Sequence, residues 1–421
     1  MSVLVTDAQG NHALAVVRSL GSRGIRVTAA DNVPWAKSFF SRYCVRRALY
    51  PSPAAGVGAF VERLCGIVDE VRPELLMPMT ERTILAIMAY RKRIESCVAI
   101  APLPSEHAFA VALDKGTTVE LAESRGLPVP RTFRLSHLED LSHIRSQLPY
   151  PVVIKPRRSQ IWTVDDQIVS SGPVEYCFAP QELERKYLAV HRRAPLPLIQ
   201  EFIPGEGYGI STLYCRGQLR ALFAHRRLRM VHPTGSGSSL RESIAPPPDM
   251  VEAARSLLDA LAWHGVAMVE FKRDPRDGLP KLMEINGRFW NSLPLAVAAG
   301  VDFPLLLYRL AMDGEVPECF AYRLGVKSRW LTGDLRHLAE VMRGRPRGWA
   351  HEFPSRWGTL RDVLRTSGGD VRYDELWPSD RLPLIGDVAD LFLHQLPQFF
   401  RHQPGAAVQE RPQPELAANQ K

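Results

Sequence analysis

The segment Val266-Ala-Met-Val-Glu-Phe-Lys-Arg-Asp-Pro-Arg-Asp-Gly-Leu-Pro-Lys-Leu-Met-Glu-Ile-Asn286 constrains this chain more than any other stretch. Asp274-Pro275 and Asp277-Gly278 are strong turn signals, so the strands on either side are expected to fold back on each other. A hairpin symmetric about Asp277 sets Glu270 opposite Glu284. Glu284 and Asn286 are two residues apart and share one strand face. Val269, Phe271, Met283 and Ile285 are then expected on the other face, in a core. Like charges directly opposite in a sheet are destabilising, and apolar flanks raise the cost by stripping water from them. A divalent cation removes the conflict. Mg²⁺ takes oxygen ligands, commonly one or two carboxylates completed by substrate phosphates. Pairing each Glu with Lys272, Lys281 or Arg288 on a solvated face would explain one such Glu. It explains two glutamates converging with an Asn less well.

The rest of the chain gives this hairpin an α/β setting. Val3–Thr6, a helix from about Ala13 to Leu20 and Ile25–Asp31 read as a β-α-β unit. Strands at Glu74–Pro78 and Val98–Ala101, with a helix at Arg82–Arg93 between them, extend it to a Rossmann-like parallel domain over about residues 1–105. Residues 105–126 read as one helix, broken by Gly126-Leu-Pro-Val-Pro130. Strands follow at 151–156, 198–203, 208–214 and 219–225. A helix at 249–262 precedes the hairpin, and another at about 292–299 follows it. Beyond about Gly314 helices are expected at 334–342 and 387–396, with no motif to interpret. The Pro- and Gln-rich stretch 404–421 reads as a disordered tail.

Glu270, followed by Met283-Glu-Ile-Asn-Gly-Arg288, resembles the metal-binding signature of the ATP-grasp superfamily. That signature is an acidic residue on one strand and Glu-x-Asn-x-Arg on the next. The family often has Pro before the Arg, where this chain has Gly287. The resemblance implies that Glu270, Glu284 and Asn286 hold Mg²⁺ or Mn²⁺, two ions, on the phosphates of ATP. It implies that Arg288 meets phosphate or an acyl-phosphate intermediate. Lys115, in Leu113-Asp-Lys115, and Lys155, in Val152-Val-Ile-Lys-Pro156, stand where the family places phosphate-binding lysines. Gln200-Glu-Phe-Ile-Pro-Gly-Glu-Gly-Tyr-Gly209 resembles the hinge between the two ATP-grasp subdomains. There the backbone of Glu201, Phe202 and Ile203 would meet adenine, and Glu206 the ribose hydroxyls. One stretch departs from the family: Pro156-Arg-Arg-Ser-Gln-Ile-Trp-Thr163 lacks the glycines that usually fold over the phosphates, leaving Arg157, Arg158 or Ser159 for that task. Pro233-Thr-Gly-Ser-Gly-Ser-Ser-Leu-Arg-Glu-Ser243 reads as a mobile loop that closes over substrate, with Arg241 as a carboxylate binder.

The resemblance covers about residues 1–313 and implies a two-subdomain ATP-grasp module at 106–313, hinged near 200–207, similar to the large-subunit modules of carbamoyl-phosphate synthase. An extension at 314–403 and the tail would follow. The implied reaction uses Mg-ATP to turn a small-molecule carboxylate into an acyl phosphate, which an amine or another nucleophile then captures. A nucleotide-binding protein without turnover is the alternative, favoured by the missing glycines. A nicotinamide oxidoreductase is a third reading. It rests on Asp31 at the end of the second strand, but the first turn, Asp7-Ala-Gln-Gly-Asn-His12, lacks the three-glycine fingerprint.

Composition narrows the partners. The net charge is +8, but of 53 basic residues nine are lysines and 44 are arginines spread along the chain. No basic helix or aromatic ladder marks a nucleic-acid binder. No apolar run approaches the roughly 20 residues of a membrane helix, and no secretory signal is visible. The six cysteines form no CxxC pair, so reduced thiols in a cytoplasm are expected. A homodimer is the assembly to test for.

Overall fold

The computed structural model describes residues 1–349, 351–365 and 371–395. The stretch 404–421 expected to be a tail lies outside them. The first hundred residues form a five-stranded parallel sheet ordered Cys44–Leu49, Arg26–Asp31, Ser2–Val5, Leu75–Met77, Ala99–Ile100. The three inner strands are short, largely apolar runs buried on both faces, as a helix-covered parallel sheet requires. The edge strand Cys44–Leu49 and the helix Val57–Val71 were not legible. That strand carries Arg46 and Arg47 and is largely exposed, so no apolar pattern marks it.

Two antiparallel sheets follow. The smaller is ordered Glu175–Cys177, Val152–Lys155, Leu198–Glu201, Thr132–Phe133. The larger has seven strands: Pro280–Asn286, Gly265–Arg273, Gly207–Cys215, Gln218–His232, Ser236–Ser243, Lys327–Arg329 and Val371–Tyr373. Helix Pro248–Ala260 covers one face of the larger sheet, burying Met250, Ala254, Leu257 and Leu258 against Ile210, Ala267, Val269 and Phe271. Each fully buried side chain of this size contributes about 1.5–3 kcal/mol. Helices Leu293–Ala299 and Phe303–Asp313 pack on the helix Asn11–Gly21, which joins the parallel domain to the larger sheet.

Three expectations change. The helix expected over 105–126 is two helices, Glu106–Leu113 and Lys115–Ser124, because Asp114 leaves helical geometry to cap the second. Its carboxylate accepts from the backbone of Gly116 at 2.8 Å and Thr117 at 3.4 Å, as an N-cap aspartate does. The loop expected at 233–243 is the turn and return strand of a β-pair, Gln218–His232 with Ser236–Ser243. Residues after 314, which offered no motif, supply two strands of the larger sheet and a helix, Pro383–Asp390, packed on the parallel domain.

Those late residues are fastened by buried charge. Arg18 is 1% exposed; its Nε donates to Asp380 at 2.8 Å, and its other nitrogens donate to the carbonyls of Asp374, Glu375 and Asp380 at 2.6–2.7 Å. Asp374 accepts from Arg241 Nη1 at 2.6 Å, from Asn11 at 3.2 Å and from Ser328. Lys37 is buried against Asp387 and Asn11. Among the described residues no single helix is long and apolar enough to cross a membrane, and the six cysteines are all free thiols.

Candidate active site

The hairpin at 265–286 has the expected register. Glu270 pairs with Glu284, and Asn286 lies opposite Met268. A bulge follows directly: Phe271 pairs with Leu282, leaving Met283 as the extra residue. The bulge resets the alternation. Leu282 therefore joins Val269, Phe271 and Ile285 in the core, whereas Met283, expected there, lines the cavity above the carboxylates.

That cavity, about 350 Å³, lies between the two antiparallel sheets. At its centre the Asn286 amide nitrogen sits 3.2 Å from one oxygen of Glu270 and 3.2 Å from one of Glu284. Asn286 Oδ1 accepts from Arg288 at 2.9 Å. The outer carboxylate oxygens face cations. Arg227 is ion-paired with Glu270, and Lys115 Nζ is 3.6 Å from Glu284. Burial and the charge of Glu284 push the Glu270 carboxyl up, more than Arg227 pulls it down. Burial also pushes Glu284 upward, but Lys115, the Asn286 amide, Arg288 and Lys155 outweigh it and hold that carboxyl below its ordinary value. Two carboxylates and an amide meeting around one point, with cations on the outer oxygens, form a hard-oxygen donor set. It fits a Mg²⁺ ion whose remaining positions go to phosphate oxygens and water. Turning the amide would bring its oxygen toward the ion.

The nucleotide-side residues lie along the same cavity. Lys155 ends its strand with Nζ 2.5 Å from Gln200 Oε1. Burial, with Lys115 and Lys272 nearby, brings its ammonium down to about 8 despite Glu284. Lys115, first in its helix, donates to Ser159 at 3.1 Å. Glu201, Phe202 and Ile203 line the cavity together with the apolar side chains of Val153, Val174 and Tyr176. Glycine is required at the hinge turn: Gly205 has φ +140°, and a Cβ there would lie 2.1 Å from the Arg273 carbonyl.

Several expected residues are placed elsewhere. Glu206 is exposed and outside the cavity wall, accepting from Tyr208 at 3.1 Å. Glu201 lines the cavity, but its carboxylate is taken by Arg276 at 2.7 Å. Arg157 and Arg158 turn to Asp114, at 3.0 and 3.6 Å. The hairpin Gln160–Trp162 with Ile168–Ser170 leans on the parallel domain: Ile168 packs in that domain's core, and Arg82 donates to Gln160 at 3.1 Å. Arg241, expected as a carboxylate binder, is fully buried on its strand and paired with Asp374, and it is not among the residues lining the cavity. The turn beside it does reach the cavity, through residues 235–238.

Sequence reading missed Arg227 and Lys272. Lys272 Nζ donates to the Ile203 carbonyl at 2.8 Å, tying the hairpin to the hinge, and burial next to Arg227 brings it down to about 8. Its place two residues after Glu270, on the same face, was the available signal. Arg227 gave none, because it stands in the run Arg226-Arg227-Leu228-Arg229, where nothing local sets one arginine apart from its neighbours.

A second cavity of about 300 Å³ opens at the carboxyl ends of the parallel strands. It shares Asn291 and Trp330 with the first and carries Asp7, Asp31, Asp387 and Asp390. Asp31 accepts from the backbone of Gln9 at 2.8 Å and Val33 at 3.0 Å, so it braces the first turn instead of presenting a free carboxylate for a ribose.

Known proteins resemble this chain in sequence and in fold. Residues 193–334 match the family described as ATP-grasp in the biosynthetic pathway with Ter operon. D-aspartate ligase of Enterococcus faecium is 25% identical over 216 residues, 45% of this chain and 47% of that protein, so the chain spans about half the length of the curated relative it matches. Among solved structures, the biotin carboxylase domain of Hydrogenobacter thermophilus 2-oxoglutarate carboxylase, in complex with MgADP, ADP and bicarbonate, superposes with a TM-score of 0.62. It is 17% identical, covering 77% of this chain and 73% of that one. L-amino acid ligase from Bacillus licheniformis superposes at 0.53, with 18% identity over 75% of this chain and 77% of that one. At such identity these structures show a shared fold.

Proposed function

We propose that this chain is an ATP-grasp enzyme that binds Mg-ATP in the cavity between its antiparallel sheets and uses it to join a small carboxylic acid to an amine. The observation that carries the reading is the meeting of Glu270, Glu284 and Asn286 beneath a cavity walled by lysines and apolar side chains. Adenine would lie against Val153, Tyr176 and Phe202, with the backbone of residues 201–203 at its polar edge. Lys115 and Lys155 would point at the phosphates. Glu270, Glu284 and Asn286 would hold the metal, which supplies charge neutralisation on the transferring phosphoryl group.

The chemistry asks the chain for alignment. A carboxylate oxygen of the acid attacks the γ-phosphorus as the bond to ADP breaks. The amine then attacks the acyl carbon, phosphate leaves, and the amine gives up a proton. Arg288 lies at the hairpin's end between Asn286 and Glu81, placed to balance charge on the acyl phosphate. Such positioning and electrostatic stabilisation account for most of the catalysis in phosphoryl transfer. The second cavity reaches the first beside Asn291 and Trp330, a route by which the amine would approach. The D-aspartate ligase and L-amino acid ligase relatives make amino acids the first compounds to try on both sides.

The experiment is a screen of amino acids and diamines with Mg-ATP, reading ADP and phosphate release. Turnover is expected for some acid–amine pair. In Glu284→Gln it should fall by roughly 10²–10³-fold with the fold intact. Tight Mg-nucleotide binding with no turnover across the panel would favour the non-catalytic reading, for which the docked hairpin at 160–170 and the diverted Arg157 and Arg158 speak.

A further inference from the structure

Arg227 reaches Glu270 by an unusual route. It stands on the strand Gln218–His232, and Glu270 stands two strands away, with Gly207–Cys215 between them. The guanidinium crosses that middle strand where it has no side chain. A Cβ on Gly207 would lie 3.0 Å from Arg227 Cδ. The pair is mostly buried, each side chain 14% exposed. Among the described residues Arg227 makes no second ion pair, and its buried Nε has no hydrogen-bond partner. This is unlike Arg18, which places three nitrogens on four oxygens. Arg227 is thus held at one end, by the carboxylate that the metal site needs, and its head lies inside the reaction cavity.

We propose that Arg227 is an exchangeable counter-ion: it occupies the cation position at Glu270 while the site is free of metal, and it leaves that carboxylate to become an anion-binding side chain for the reacting groups when Glu270 takes a metal. The proposal rests on the metal reading given above. A guanidinium and a divalent cation on one carboxylate repel at contact distance, and with few mobile ions between them the repulsion is strong. Glu270 therefore cannot serve both at once without loss. Released, Arg227 still faces the cavity beside Ser236 and Ser238, where a planar fork of donors suits a carboxylate or phosphoryl oxygen pair. This gives the cavity the anion-binding arginine that Arg241, buried on Asp374, does not provide.

The test is Mn²⁺ binding to the full chain without nucleotide, followed by calorimetry and by the loss of the free-ion electron-spin signal. Arg227→Gln should bind Mn²⁺ roughly tenfold or more tightly than the unaltered chain, because the competing charge is gone. Arg227→Lys keeps a charge on a flexible stem and should fall between the two. It carries the test if the Gln variant does not fold. Unchanged or weaker Mn²⁺ binding in the variants would overturn the proposal and leave Arg227 a fixed structural partner of Glu270. Absence of Mn²⁺ binding in the unaltered chain, with or without ADP, would instead overturn the metal reading on which it rests.

Discussion

Two clusters of buried charge lie close together in this molecule, and they are built differently. Around Asp374, Asp380 and Asp387 the cations lie directly on carboxylates and fixed polar groups: Arg18 is surrounded by oxygens, Arg241 donates through Nε and Nη1 to Asp374, Ser238 and Ser328 while its Nη2 has no partner, and Lys37 lies against Asp387 and Asn11. Each of these cations is buried, at 2% exposure or less. Around Glu270 and Glu284 the same residue types stand about a cavity with partners too few for their charge. Two carboxylates share one amide nitrogen, and Lys155 has a single amide oxygen. The first cluster is finished by folding. The second is finished by something that enters.

The largest expected effect breaks the first cluster. Asp374→Ala would leave Arg241 buried without its charge partner and remove the acceptor of Asn11, a loss of about 3–5 kcal/mol as for other broken buried pairs. Chemical unfolding measures it directly. A change under about 1 kcal/mol would mean that the late strands are not fastened by these charges. Glu284→Gln should have little effect on stability in the same assay, since it relieves a like-charge contact with Glu270.

Lys155→Met sharpens the contrast from the other side. Nucleotide affinity should fall roughly 10–100-fold, the worth of one charged hydrogen bond of about 1.5–3 kcal/mol, while stability holds. A smaller effect belongs to the proton. Lys155 and Lys272 sit at about 8 in the free protein. Phosphates raise an ammonium's proton affinity, so nucleotide binding should take up protons near pH 8.5, and affinity should decline as pH rises above about 8. Calorimetry in buffers of different ionisation heat reads the uptake. Lys155→Met should remove part of it, and a value of zero in the unaltered chain would contradict a phosphate-facing Lys155.

The site was more legible than its surroundings. Turn chemistry at Asp274-Pro275 and Asp277-Gly278 is local, so it set the register of Glu270 against Glu284 from the sequence alone. The bulge at Met283 is not local: it depends on which residues the facing helix buries. Arg241 was misjudged because glycines on a strand turn look like those of a loop, and its partner Asp374 is 133 residues away. The strands Lys327–Arg329 and Val371–Tyr373 are three residues each, too short to show a period, and they exist because an edge was open for them. Arg227 was hidden in a run of arginines for the same reason. What it touches is decided by a glycine on the next strand.

The most direct test is ADP binding to the full chain, by calorimetry, with and without Mg²⁺, in the unaltered protein and in Glu284→Gln. Mg²⁺ should tighten ADP binding at least about tenfold in the unaltered protein and give little or no gain in the variant, which should still bind ADP through the apolar side chains and lysines. Equal Mg²⁺ enhancement in both proteins would contradict the assignment of Glu270, Glu284 and Asn286 as the metal site.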